Sequence, residues 1–413
     1  MSEKKFPILP IFLVVFIDLI GIGIITPILG PLFLNPDGIL PESYDFAART
    51  MLMGFLIASY PLAQFFGAPI LGSLSDRHGR KKILFITLLG TMIGYLLFGT
   101  ALLMHNLNLL FVSRIIAGFT GGNISIAMSA IADLSDEKSK AKNFGLLGLA
   151  FGLGFILGPF IGGKLADPSL VSWFNYATPL WFAAILAAIN ILMVQFNFTE
   201  TLTTRIHSRI SVTSGLKNVY KAFTLPNLRV MFIVVFLLTI GFNFFTQFIQ
   251  VFLIEKFGFN QSGIGTFFAY TGLWIAFTQG IITRLVSRRF QPKKVLPFSV
   301  MLLSLVFPLR IVPEDSSYLY LINPFIAIFW GLTFPNYTAI VSSLSARDSQ
   351  GEILGINQSI QSLGMAIPPI IAGFIVSVHL YLPILAASAL IFLAWLVFVL
   401  FFKEKEKEVF HEV

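Results

Sequence analysis

Cysteine is absent from the 413-residue chain. Its absence excludes disulfides, thiol nucleophiles and cysteine-ligated metals, and leaves the redox compartment open. Charge is scarce as well. Asp, Glu, Lys and Arg supply 12% of the residues, about half the share in an ordinary soluble domain. The histidines (His78, His105, His207, His379 and His411) fall at no metal-ligand spacing, so no metal is expected. Gly158–Lys164 approximates the phosphate-loop pattern Gly-x4-Gly-Lys. Leu165 stands where Ser or Thr is needed, and no strand precedes the segment, so the pattern is rejected. With no nucleophile–base set, no cofactor loop and no soluble domain, an enzyme is not expected. Any work this chain does would draw on a gradient, without a cofactor.

Apolar residues are abundant: 56% of the chain is hydrophobic and Phe alone supplies 45 residues. The apolar runs repeatedly reach the roughly 20 residues that cross a bilayer. Twelve such runs predict an all-α polytopic membrane protein. Among them are spans over 8–33, 51–74, 107–132, 143–166, 262–286 and 294–312. The first run continues directly into a full-length span, so no cleaved leader is expected. Twenty-three of the 28 Lys and Arg fall on one side of this topology. The other side receives only Arg49, Lys164, Lys256 and Arg310, and Arg114 lies inside a span. By the positive-inside rule both termini are cytoplasmic, which points to a cytoplasmic (inner) membrane. The net charge of +8 is therefore topology, not a nucleic-acid footprint.

The stretch Gly72-Ser-Leu-Ser-Asp76-Arg77-His-Gly79-Arg80-Lys-Lys82 joins the second and third spans. A plain cytoplasmic loop accounts for its cations but not for Gly, Asp and Gly at these spacings. A tight turn is expected there, with Gly72 and Gly79 letting the backbone bend. The stretch resembles the loop 2–3 signature of the major facilitator superfamily. Later stretches are similar to that family's twelve-helix drug/proton antiporters, the tetracycline-exporter-like branch. The resemblance implies twelve transmembrane helices in two six-helix pseudo-repeats. It also implies a small organic substrate and protons as partners, and a single working copy in the bilayer.

In the first span, Asp18-x-x-Gly21 followed by Pro27 is similar to the first helix of those antiporters. Asp18 lies roughly 15 Å deep at 1.5 Å per residue, and an intramembrane carboxylate marks a functional site by default. Arg114 on span four resembles the family arginine implicated in proton transfer. The two estimated depths differ by about one helical turn. Asp18 is thus the candidate counter-charge, either as a proton-coupling switch or as a permanent structural pair. By resemblance, Asp133 would pair with Arg80, and Asp76 would cap the helix that begins near Gly351, forming either a gating latch or a static clasp. Span five carries Gly154, Gly158-Pro159 and Gly162-Gly163, a bare helix face suited to tight crossing. The string matches the family motif associated with exporters.

Residues 199–228 form a linker between expected bundles at 1–198 and 229–402, and 403–413 is a charged tail. Leu216, Val219, Tyr220 and Phe223 predict a short amphipathic helix within the linker. The second half echoes the first at offsets of about 208 to 220 residues. Leu238 replaces Asp18 in that echo, and Asn323 or Pro324 stands near where Arg114 would repeat. Proton chemistry is thus expected in the first half. Candidate substrate contacts are Tyr60 and Gln64 on span two, then Asn243, Gln247, Gln250, Trp274, Asn336 and Gln361 among aromatics. Each of these either meets substrate or hydrogen-bonds a neighbouring helix. The expected function is proton-coupled export of a small amphipathic, drug-like compound by alternating access. The alternatives are a dedicated metabolite or siderophore exporter, an importing symporter, or a non-transporting sensor.

Overall fold

The computed structural model describes residues 8–36, 38–135, 140–202, 213–225, 228–344 and 350–402. The side chains of 8, 140–149, 151, 350–352 and 354 also lie outside that description. Among the described residues every regular element is helical. The first seven helices are α1 (Ile8–Leu34), α2 (Phe46–His78), α3 (Arg80–Leu103), α4 (Leu107–Thr120), α5 (Asn123–Leu134), α6 (Lys140–Leu165) and α7 (Thr178–Asn197). The linker helix is α8 (Ser214–Thr224). The rest are α9 (Arg229–Phe257), α10 (Gln261–Phe277), α11 (Thr283–Ser287), α12 (Pro292–Val306), α13 (Ser317–Ser343), α14 (Gln350–Val378) and α15 (Leu382–Phe401). Ten segments are long and apolar enough to cross a bilayer, α4 and α5 counting as one. The two remaining expected spans are α6 and the broken segment Gln261–Ser287. Large apolar side chains such as Phe155, Phe196 and Leu305 stay exposed on the outside of the bundle, where lipid replaces water as solvent.

Three expected spans depart from simple helices for local reasons. Span four breaks at Gly121-Gly122, between α4 and α5. Gln64 donates to the Gly121 carbonyl at 2.7 Å, satisfying an acceptor that the interrupted helix leaves without a partner. The segment Gln261–Ser287 carries a π turn over Thr278–Ile282. Span nine tightens into a 3-10 turn at Phe307–Ile311, where Pro308 has no amide hydrogen to continue the α pattern.

The expected tight turn over 72–82 is corrected. α2 runs on to His78, and Gly79 alone bends the chain, with φ +104°. Only glycine enters that region without strain. Gly72 lies inside the helix, and a Cβ added there would meet nothing within 4 Å. Its expected role as a turn residue does not hold.

The end of the bundle holding Arg77, Arg80, Lys81, Lys82 and Arg284 to Lys294 is called the basic end. At the opposite end, α1–α7 meet α9–α15 along close backbone seams. Thr50 Oγ1 on α2 donates to the Gly373 carbonyl on α14 at 2.9 Å. The Gly30 amide on α1 donates to Gln250 Oε1 on α9 at 2.7 Å. Gln261 on α10 donates to the Ala166 carbonyl, just past α6, at 3.0 Å. Nearer the basic end the linker helix stands between α2 and α14. Its Gly215 packs on the Phe65 ring, and Asn218 Nδ2 donates to Ser359 Oγ at 3.1 Å. α8 buries Gly215 and Ala222 and turns Leu216, Tyr220 and Phe223 outward, as an amphipathic helix against lipid would.

All four cations that the sequence assigns to the opposite end are held by protein groups. Arg49 donates to the Phe33, Pro41 and Tyr44 carbonyls. Lys164 donates to Ser262 Oγ, and Lys256 to the Ile311 carbonyl. Arg310, expected at the membrane surface, is fully buried in the second half.

Candidate functional site

Asp18 lies on α1 and Arg114 on α4, and both are buried, at 6% and 8% exposure. They do not form the ion pair that sequence reasoning paired them for. Asn123, the first residue of α5, lies near the Asp18 carboxyl. Asp18 Oδ2 and Arg114 Nε have no hydrogen-bond partner in the protein. Arg114 instead lies over the Tyr60 ring, 4.6 Å from its centroid, a favourable cation–π placement. Tyr60 and Tyr95 each interact electrostatically with both Asp18 and Arg114. The two phenols thus share the surroundings of both charges. The Gly121-Gly122 break helps to build this arrangement. It sets Asn123 at a helix start, and Gly118 lets α4 approach the α2 backbone at Tyr60.

At the basic end, Arg80 is buried and its guanidinium holds two carboxylates. Nε meets Asp133 at 3.1 Å and Nη1 meets Asp76 at 2.5 Å. The expected Arg80–Asp133 pair is therefore present. Asp76 turns to Arg80, one helical turn away. The expected contact of Asp76 with the start of α14 near Gly351 lies outside the described residues. Arg77 is exposed.

Glu200, which sequence reasoning passed over, completes this cluster. Its carboxylate accepts from the Arg80 amide at 2.9 Å and the Lys81 amide at 3.2 Å. Those are free amides at the start of α3, where a negative charge is favoured. Thr201 Oγ1 donates to Asp133 Oδ2, and Lys81 Nζ donates to the Gln195 carbonyl. An acid directly after the sixth span was the available signal.

The glycines of α6 work on two sides. Gly154, Gly158 and Gly162 face Leu19, Gly23 and Ile24 of α1, whereas Gly163 and Pro159 face Gly265 of α10. The motif residues therefore join α1 and α10 through one helix.

Each of the eight candidate substrate contacts has a protein partner. Tyr60 and Gln64 serve the α2–α4 junction. Gln250 is fully engaged, accepting from Gly30 and donating to the Gln247 carbonyl. Asn243 donates to the Thr239 carbonyl and receives a 3.4 Å contact from Gln247. Asn336 donates to the Leu332 carbonyl, and Gln361 Nε2 lies 3.4 Å from Tyr337 Oη. Trp274 packs edge-on against Tyr270 and Phe277. Phe242 and Trp330 stack at 3.6 Å with an interplanar angle of 3°, an aromatic pair bridging α9 and α13 near Asn243.

An all-helical membrane bundle with a buried acid and arginine in its first half, and a clustered acid–arginine turn between spans two and three, defines a polytopic transporter. The model of the Major Facilitator Superfamily matches residues 11–369 and 288–412. The chain belongs to that superfamily, a family of transporters and not of enzymes. It is 30% identical to the tetracycline resistance protein, class H, of Pasteurella multocida, over 90% of this chain and 89% of that one. It is 28% identical to the quinolone resistance protein NorA of Staphylococcus aureus, over 94% and 95% of the two chains. The crystal structure of the D-xylose-proton symporter superposes with a TM-score of 0.76 at 16% identity, over 96% and 98% of the chains, which speaks to the fold alone.

Proposed function

We propose that this chain is a proton-coupled exporter of small amphipathic organic compounds, of the kind named in its tetracycline- and quinolone-resistance relatives. The observation that carries the reading is Asp18, a carboxyl buried in a membrane span with no cationic partner, a short way from an equally unpaired Arg114. A group that binds a proton when its surroundings are dry and releases it when they are wet is what coupling to a proton gradient requires. Tyr60 and Tyr95, which interact with both charges, would couple them electrostatically.

The seams at the opposite end and the Asp76–Arg80–Asp133 cluster suit alternating access. In that cycle the 1–198 and 229–402 bundles rock about α1, α6, α9 and α10. The basic end would face the cytoplasm of an inner membrane, with both termini there. The stacked Phe242 and Trp330, with Asn243 and Gln247 beside them, would offer apolar walls and a few amides to the cargo. Asp76 would exchange Arg80 for the first turn of α14 when the basic end closes. One copy of the chain would suffice.

The test is substrate-driven proton movement in proteoliposomes, with a panel of tetracyclines, quinolones and cationic dyes. The wild-type protein should move protons with at least one compound. Asp18→Asn should lose that movement while keeping its thermal stability, because no ion pair is broken. Normal coupling in Asp18→Asn would refute the proton path. Silence from the whole panel would refute the substrate class and favour a dedicated metabolite carrier.

A further inference from the structure

The second half holds a buried cation that the transport chemistry above leaves unused. Arg310, on the 3-10 turn after α12, is 0% exposed. Its Nη2 donates to the Asn323 side chain on α13, and Asn323 donates to Thr271 on α10. Nε and Nη1 have no hydrogen-bond partner in the protein. The guanidinium carbon lies 4.0 Å from the centroid of the Phe245 ring and 5.6 Å from that of Phe267. Among the described residues no carboxylate lies within ion-pairing distance of Arg310. Nearby, Lys256 binds the Ile311 carbonyl, and its acidic contact is Glu314 at 3.7 Å, whose side chain is 92% exposed. This end of the second half therefore contains two largely buried cations, while its acids Glu255, Glu314 and Asp315 are solvent-exposed.

Removing a guanidinium from water is costly, and neighbouring phenyl faces and one amide oxygen offset only part of that cost. Buried charges in folded proteins are paired or neutralised. In the first half Asp18 supplies a buried acid in the same region as Arg114, although the two do not pair. In the second half, Leu238 occupies the position matching Asp18 and is fully buried. Asn323 stands near the position matching Arg114, and Arg310 reaches it from the preceding span. The second half thus holds a buried cation with no buried acid at the position matching Asp18.

We propose that Arg310 binds a single small anion, a halide or a carboxylate group, through the Nε and Nη1 donors that the protein leaves open. The anion comes either from the medium or from an acidic group on the cargo, and only the second source rests on the export reading. The experiment uses the purified full-length protein. Its melting temperature is followed while sodium chloride replaces sodium gluconate at constant ionic strength. Chloride should raise the melting temperature of the wild type by an amount on the order of a few degrees at 100 times its Kd. Arg310→Gln should abolish the rise, and Arg310→Lys should keep part of it.

Because Arg310→Gln could fail to fold, chloride-35 line broadening by the wild type gives a second reading. Acetate should reverse the excess broadening. The two sources separate with an exported acid, its methyl ester and acetate: competition by the acid, but not the ester, at concentrations where acetate has no effect assigns the site to cargo, and competition no stronger than acetate's assigns it to the medium. No difference between chloride and gluconate in the wild type by both measurements would overturn the proposal. An equal response in a folded Arg310→Gln variant would do the same.

Discussion

Gly265→Ala is the substitution that separates stability of the fold from stability of one conformation. Gly265 lies on α10 against α6, where a Cβ would stand 2.5 Å from the Pro159 carbonyl oxygen and 3.1 Å from Gly163 Cα. Both neighbours are backbone and cannot rotate away. Ordinary contact begins at 3.4 Å, so the helices must part by about 0.9 Å, or the methyl group must be strained. Overpacking of this kind costs about 1–3 kcal/mol. This cost falls on a seam between α1–α7 and α9–α15, so it penalises the conformation closed at the opposite end. At 1.4 kcal/mol per tenfold, the open conformation should gain roughly 5- to 140-fold in population.

The native chain has no cysteine, so Thr50→Cys gives a single reporter in the separate α2–α14 seam, where Thr50 is fully buried. Its labelling by a membrane-impermeant maleimide should accelerate by that factor when Gly265→Ala is added. Gly158→Ala places a Cβ 2.8 Å from Gly23 Cα and from the Ile20 carbonyl oxygen on α1. That contact lies within the first seven helices, so this variant should lower the melting temperature without accelerating the labelling of the reporter thiol. Gly152→Ala meets nothing within 4 Å and should gain up to about 1 kcal/mol from helix propensity. An unchanged labelling rate in a destabilised Gly265→Ala protein would refute the idea that this seam opens as a unit with α2–α14.

Two further outcomes follow from particular contacts. Glu200→Ala removes the acceptor for two amides at the start of α3 and should cost about 0.5–2 kcal/mol in thermal or denaturant unfolding; Glu200→Gln, retaining one acceptor oxygen, should cost less. The double variant Asn218→Cys/Ser359→Cys replaces a 3.1 Å hydrogen bond between the linker helix and α14. If α8 must leave the gap between α2 and α14 during the cycle, oxidation to a disulfide should stop transport and a reductant should restore it. Full activity in the oxidised protein would show that α8 travels with α14.

Much of this protein was legible in its sequence because a bilayer leaves few choices. Backbone polar groups must be satisfied within each span, so run length and composition dictate helices. The placement of Lys and Arg gives an expected orientation. Asp18 and Arg114 stand out because ionic groups are rare within spans. The Arg80–Asp133 pair was readable through family resemblance.

The pairing of side chains was not readable in the same way. Whether Gln64 and Gln250 line a cavity or tie helices depends on which helix passes beside them, and the structure gives Gln64 the Gly121 carbonyl and Gln250 the Gly30 amide. Hydropathy placed Arg310 at a membrane surface, since a cation near a span end normally reaches water. The 3-10 turn at Pro308 and the facing Asn323 bury it instead. Periodicity and composition act on neighbours along the chain and so determine elements. Tertiary packing determines which orphaned polar group meets which partner, and it alone left Asp18 and Arg114 in one cluster without pairing them.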